Sequence, residues 1–192
     1  TIHRNAFWNL YVPGADEHYL AHIIRNHADF VPELDLVLER NAQVIGNIMY
    51  TKAKLVDENG NEKTILTFGP VAIDPAFQRQ GFGKQLMEVS MKRAAELGYD
   101  TIVILGDPDN YVERGFKSCQ KFNVWAADNT QPTAMIVKVL KPNALDGRKW
   151  TYHESPAMSY DKEDATRFDT TFPAKAKGYQ ASQEAFYILS HS

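Results

Sequence analysis

The sequence predicts an α/β domain built on a mixed central β-sheet flanked by helices, and three observations carry that prediction. Three β-rich runs, "LDLVLER", "QVIGNIMYTKAKLV" and "TILTFGPVAI", follow one another with turn signals between them, a pattern that gives strands in antiparallel succession. The third run leads through "DPAFQRQGFG" into a helical pattern and then into "DTIVIL", so Ile65 to Leu105 reads as a strand–helix–strand unit. With 44% hydrophobic and 11% aromatic residues, 192 residues are enough to bury the core of one domain.

Each element follows from its own residues. From Asn5 to Asn26 the pattern is of two short helices, interrupted at Pro13 and Gly14, with Asp16 placed to cap the second. Asn41-Ala42 separates the first two strands, and "DENGNEK" supplies the turn before the third. In the helix after the glycine turn, Lys84, Glu88, Lys92 and Glu96 recur at steps of four and form a charged outer face. Leu86, Met87, Val89, Met91, Ala94 and Leu97 are assigned to the inner side, and Gly98 is a C-terminal stop. "DTIVIL" is continuously β-branched and apolar, as suits a parallel strand covered on both faces. Beyond it, "YVERGF" reads as a short helix ending at Gly115, and "FKSCQKFNV" and "AMIVKVL" as strands that complete the sheet. The domain is assigned to residues 1–150. The rest, 151–192, is an extension draped on it, with a last helix at "SQEAFYILS".

Composition removes several classes of function. A net charge of −3 offers no broad positive field for nucleic acid or an anionic membrane. No apolar run approaches the roughly 18 residues of a membrane helix, and "TIHRNAFWNLYVPG" is not laid out as a signal peptide. Cys119 is the one cysteine, so no internal disulfide can form, and a cytoplasmic location is expected. Cys119 itself, on an expected strand, reads as a small buried hydrophobe. His18 and His22 stand at i, i+4, a spacing zinc uses, but no third ligand follows at suitable spacing and the glutamate of the zincin motif is absent; no metal is expected. Trp8, Tyr11 and Tyr19 either line a pocket or belong to the core, and the sequence leaves both open.

The stretch "QRQGFGKQL" is the most specific local signal. A Walker A loop would need glycine at Gln78 and Ser or Thr at Gln85; a Rossmann fingerprint would need a third glycine at Leu86. Both fail. What remains is Gln-x-x-Gly-x-Gly at a helix start, where the backbone from Gln78 to Lys84 can aim N–H groups at an anion, and where Gly81 and Gly83 let a phosphate approach the main chain. In an open sheet the ligand crevice lies beyond the carboxyl ends of parallel strands. The loops leaving Ile73 and Leu105, "DPAFQRQGFG" and "GDPDNYVERGF", should therefore face one crevice.

"GPVAIDPAFQRQGFGKQLM" followed by "TIVILGDPDNYVERGFK" resembles the acetyl-CoA-binding core of the GNAT N-acetyltransferase superfamily, and in particular a bacterial subgroup with a "GDPxYYxRFGF"-like second loop. The core of the resemblance is residues 64–117, with weaker similarity at "AFWN", "EHYL" and "FDTTFP". One departure is Asn110, which stands where the first of a tyrosine pair is usual. The superfamily's leading strand would precede Thr1, and a truncated start is expected. The resemblance implies a GNAT-like fold whose parallel strands splay to admit the cofactor, acetyl-CoA as acyl donor, and a small-molecule or protein amine as acceptor; homodimers are common in such folds. Pyrophosphate would lie on the amides of Arg79, Gln80, Gly81, Phe82, Gly83 and Lys84, beside Gln78, and pantetheine would pair along Val71, Ala72 and Ile73, where Gly69-Pro70 suggests a bulge. Asn110 and Tyr111 would border the cofactor.

Transfer in that superfamily is direct, so a base, an oxyanion donor and an acid are wanted. Tyr111 stands four residues before Gly115, the place of the family's acid, and a phenol with a reference pKa of about 10 can protonate a thiolate whose conjugate acid is near 8.5. No Glu or His lies within "TILTFGPVAI" to serve as base. Glu17 and His18 are candidates through their family location. A non-enzymatic acyl-CoA-binding module is the rival expectation.

Overall fold

The computed structural model describes residues 1–192. Its centre is an eight-stranded sheet in the order β5-β7-β4-β3-β2-β8-β6, with β1 paired to β2 off that path. The strands are β1 (Leu36–Arg40), β2 (Gln43–Asp57), β3 (Glu62–Ile73), β4 (Thr101–Leu105), β5 (Lys117–Ser118), β6 (Val124–Trp125), β7 (Met135–Val139) and β8 (Trp150–His153). The expected mixed sheet is present: β3 and β4 run parallel, as do β6 and β8, and the other neighbours are antiparallel. β2 is long enough to carry two partners on one edge, β1 along its first half and β8 along its last four residues.

Alternation along the strands sorts the core into two faces. Ile48, Tyr50, Leu66, Phe68, Ile102, Ile104 and Ile136 pack with Leu86, Met87, Met91 and Ala94 of helix α3 (Phe82–Glu96). Ala53, Leu55, Ile65, Val103 and Val137 point the other way, onto Cys119, Val124, Leu145, Trp150 and Tyr152. Beside this second set, Met49 meets Ala21 and Ile24 of helix α2 (Glu17–Ile24) and Ala157. β4 is buried on both faces, which is why its sequence shows no alternation. Val89 and Leu97, expected inside, are exposed. The apolar stripe of α3 runs through position 90, and Ser90 fills it: its hydroxyl donates to Met87 O (2.9 Å) and accepts from Tyr50 Oη (2.8 Å).

The first helix, α1, spans Ile2–Phe7 and so starts before Asn5. "FKSCQKFNV" is two short strands around a 3₁₀ turn. Ser118 Oγ accepts from Gln120 N, and Asn123 adopts φ +54°, so the backbone leaves the ladder between them. A short helix α4 (Pro108–Tyr111) follows β4, capped by Asp107, whose side chain accepts from Asp109 N. The division at residue 150 falls inside β8, so the extension is rooted in the sheet. It continues as helix α5 (Lys162–Asp169), capped by Asp161, and helix α6 (Ala181–Ser190). No helix is long and apolar enough to cross a membrane.

Candidate active site

The opening that positions the site lies where β3 and β4 part. Their parallel pairing is registered at Leu66 and Ile102, and β4 ends at Leu105 while β3 runs on to Ile73. On its other edge β3 stays with β2, through Val71 opposite Ile48, Ala72 opposite Asn47 and Ile73 opposite Gly46. The β4-facing edge of Val71, Ala72 and Ile73 thus has no strand beside it. Just before it, Ile48 pairs with Val71 and Tyr50 with Phe68, so Met49 faces two residues, Gly69 and Pro70. This is the bulge the Gly-Pro pair suggested, and it bends β3 at the point of divergence.

The chain leaves Ile73 through a 3₁₀ turn (Pro75–Phe77) fixed by Asp74, whose carboxylate accepts from Ala76 N. Gln78 ties the turn back to the strand, donating from Nε2 to Ile73 O (3.0 Å), while Gln80 Nε2 reaches Ala76 O (3.2 Å). Arg79 then takes φ +58° and Gly81 φ +89°, and α3 begins with no side-chain cap. From Arg79 to Lys84 no backbone N–H donates a hydrogen bond within the chain; the ladder resumes at Gln85, which donates to Gly81 O (3.0 Å). Six consecutive amides left free at a helix N-terminus are placed where they can hold an anion. Gln78 anchors this row, since its own N–H is directed at Pro75 O. The Phe82 ring packs against Phe77 and lies under the Arg40 guanidinium, and Lys84 is exposed, 3.8 Å from Glu88.

Gly81 needs its glycine for the left-handed φ, since a Cβ there would meet nothing. Gly83 is different. A Cβ would sit in ordinary contact with Ile73 Cγ1 at 3.6 Å, so nothing in the protein's own packing requires a bare backbone there.

Across the opening, Tyr111 ends α4. Its ring packs on Phe68 (5.8 Å between centroids) and Phe116 (5.7 Å), and against Gly106, where a Cβ would come within 2.7 Å of Tyr111 Cε2. Burial pushes its phenol pKa well up, helped by Tyr11 and Asp107, and its hydroxyl has no hydrogen-bond partner within the chain. The phenol is therefore protonated and free to donate. Asn110, one residue earlier, is exposed on α4.

Glu17 and His18 are neighbours on α2 with opposite fates. Glu17, at the first turn, accepts from Asp16 N (3.0 Å), and burial pushes its carboxyl up to about 7, with the adjacent Asp16 adding to the rise. Glu17 and Asp107 both bear on the Tyr11 hydroxyl, whose pKa burial also raises, and Tyr11 bears on Tyr111. Glu17, Tyr11, Asp107 and Tyr111 therefore share one electrostatic neighbourhood. His18 turns instead toward Asp169 Oδ1 (3.0 Å) and the rings of Phe168 and Phe172; burial lowers its pKa. His22 stacks on Phe168. Trp8 donates to Ala176 O and Tyr19 packs on Tyr160 and Phe168, so both hold the extension, whereas Tyr11 packs on Phe7 and Phe186 and acts on Tyr111. Gly106, Asp107 and Tyr160 were not singled out from the sequence. "GDP" is a readable loop-and-cap signal, but what packs on Gly106 becomes visible only in three dimensions.

The chain as a whole is similar to known proteins. The model of the Acetyltransferase (GNAT) family aligns with residues 4–117. The uncharacterized N-acetyltransferase YhbS of Escherichia coli (strain K12) is 30% identical over 105 residues, 55% of this chain and 61% of YhbS. YjhQ of the same strain, also an uncharacterized N-acetyltransferase, is 26% identical over 88 residues, 46% of this chain and 48% of YjhQ. This chain therefore spans less than two thirds of the length of these relatives. The crystal structure of YhbS in complex with CoA superposes with a TM-score of 0.61 at 28% identity, covering 72% of this chain and 76% of that one. A GNAT family acetyltransferase from Brucella melitensis in complex with acetyl-CoA gives 0.62 at 23% identity, with coverage of 82% and 88%, a likeness of fold.

Proposed function

Because the chain belongs to the GNAT acetyltransferase family, we propose that it transfers an acetyl group from acetyl-CoA directly to a primary amine. The observation that carries this reading is the row of unpartnered amides from Arg79 to Lys84, set beside the free edge of Val71, Ala72 and Ile73. The pyrophosphate lies on the amides and pantetheine runs along the edge as an added strand. The thioester then reaches the end of the opening, between Tyr111 and the Tyr11–Glu17 side. YhbS in complex with CoA and the acetyltransferase names of the relatives favour catalysis over a non-enzymatic acyl-CoA-binding module.

In the transfer, the amine nitrogen forms the new bond to the acetyl carbon and the carbon–sulfur bond breaks. Glu17, ionised above about pH 7, takes the proton the nitrogen loses. A backbone N–H near Val71 faces the carbonyl oxygen as charge builds on it. Tyr111 donates its proton to the departing thiolate, and burial of the phenol keeps that proton in place until sulfur needs it.

The test has two parts. Thermal unfolding with acetyl-CoA at a hundredfold excess over its dissociation constant should gain about 2.7 kcal/mol of stability, and thiol release should appear when primary amines are added. Absence of a shift removes the cofactor assignment. A shift without thiol release for any amine restores the binding-module reading.

A further inference from the structure

We propose that helix α6 roofs the acceptor half of the opening, and that the acceptor is a small cationic amine with an aromatic or apolar body resting on Tyr11 and Phe186. The proposal rests on the N-acetyltransferase reading and adds the substrate class.

The observation behind it is where α6 is tied. At its start, Ser182 Oγ donates to Leu10 O (2.7 Å) and Gln183 Nε2 to Asn9 O (3.0 Å), so the helix is anchored to the loop between α1 and α2. At its far end, Thr133 N donates to Ser192 O, and the next residue, Ala134, accepts from Gly106 N (2.9 Å). A helix of 10 residues is about 15 Å long. It therefore bridges from the Tyr11 loop to the segment beside Gly106; the far anchor lies at the end of the sheet where Leu105, paired with Met135, leads into the Tyr111 loop, and on the near side Tyr11 acts on Tyr111. α6 buries none of its own residues in the core, so the ties at its two ends and the packing of Phe186 on Tyr11 are what hold it.

The underside of that roof is aromatic. Phe186 lies 4.6 Å from Tyr11 between ring centroids, and Phe7 lies 5.9 Å from Tyr11 on another side. Such a platform favours rings and apolar chains. Glu17 and Asp107 both act on the Tyr11 hydroxyl, and acidic groups so placed attract an ammonium group before it gives up its proton. A helix tied at both ends narrows the approach for an acceptor that carries a polypeptide main chain, which favours a small molecule over a protein tail.

The test compares phenethylamine, butylamine and a short lysine-containing peptide as acceptors for the full chain and for Phe186→Ala, with acetyl-CoA affinity measured in parallel. Phe186 is exposed on a helix without core residues, and alanine is the better helix former, so the variant keeps the fold. Phenethylamine should exceed butylamine in kcat/KM by roughly tenfold in the parent. Phe186→Ala should erase that margin by raising KM for phenethylamine, with kcat and acetyl-CoA affinity unchanged. A margin that survives in the variant, a peptide used as well as phenethylamine, or acetyl-CoA binding with no transfer to phenethylamine would each overturn the proposal. A parent that does not bind acetyl-CoA would instead overturn the transferase reading beneath it.

Discussion

Tyr111 packs against the bare Cα of Gly106 so closely that a Cβ at 106 would come within 2.7 Å of Tyr111 Cε2. Gly106 is not in the left-handed region, so its smallness serves the ring and not the backbone. Phe68 and Phe116 hold the other sides of that ring, which leaves it one way to move, outward. Gly106→Ala should therefore displace the phenol and lower kcat by roughly a hundredfold, close to the loss from Tyr111→Phe, which removes the proton donor and leaves packing alone. Acetyl-CoA affinity should stay within about twofold in Tyr111→Phe, as read by calorimetry. If both variants turn over at the parent rate, another group protonates the thiolate.

Gly83→Ala separates cofactor binding from folding. The added methyl has room in the protein and relieves a flexible backbone, so stability should hold or rise by about 0.5 kcal/mol. The same methyl stands where a phosphate must approach, so acetyl-CoA should bind roughly tenfold or more weakly. Gly81→Glu should go further and abolish binding, but at a cost in stability of about 1–2 kcal/mol, because φ +89° is strained for any side chain. Unaltered acetyl-CoA affinity in Gly83→Ala would take the phosphate off this turn.

Glu17 gives two pH signatures. As the base it must be ionised, so kcat/KM should rise through about pH 7, and Glu17→Gln should remove that limb along with most of the activity. Its folded pKa is raised, so folding binds a proton between the unfolded value near 4.3 and about 7. The stability tied to that proton is complete below the unfolded value and is lost as pH rises through the folded one. Glu17→Gln should thus melt above the parent at pH 8 and match it at pH 4. Equal melting at both would mean that Glu17 titrates as an ordinary carboxyl.

Asp169 holds the buried Arg4 with its carboxylate (2.6 Å) and faces His18. Burial works against its ionisation, but Arg4 and His18 prevail and hold its pKa below the usual carboxylate range. The stability this gives is present above about pH 4 and fades as pH falls through the depressed value. Asp169→Asn should cost about 2–3 kcal/mol near neutral pH, less than a fully buried pair because Asp169 is partly exposed, and the deficit should close in acid. A neutral-pH melting point unchanged from the parent would show the contact to be incidental.

What could be read beforehand follows from physical range. The glycine turn was legible because φ above zero at position 81 and an uncapped helix start leave marks in adjacent residues, and the Gly69-Pro70 bulge because proline cannot complete a ladder. Ser118 and Asn123 carried local turn signals that a run of β-like neighbours hid, so a single strand was expected where two fragments stand. Glu17 and His18 could not be told apart, since helical neighbours point about 100° from one another and only packing decides which side is the opening. The position of α6 rests on Ser182 and Gln183 meeting Leu10 and Asn9 across more than 170 residues of chain. No local pattern records such a meeting.

The Arg4–Asp169 contact also orders events during synthesis. Helix α1 leaves the ribosome long before its partner, since the carboxylate that neutralises its buried arginine is made 165 residues later, at the start of the segment that goes on to α6. At about 5–20 residues per second, translation keeps Arg4 waiting for roughly ten to thirty seconds. The sheet from β2 to β4 can assemble in that interval on its own contacts. On the proposed reading, the acetyl-CoA side of the molecule is therefore ready before the acceptor side, and a nascent chain arrested before Asp169 should bind the cofactor with the α6 part of its acceptor half still unbuilt.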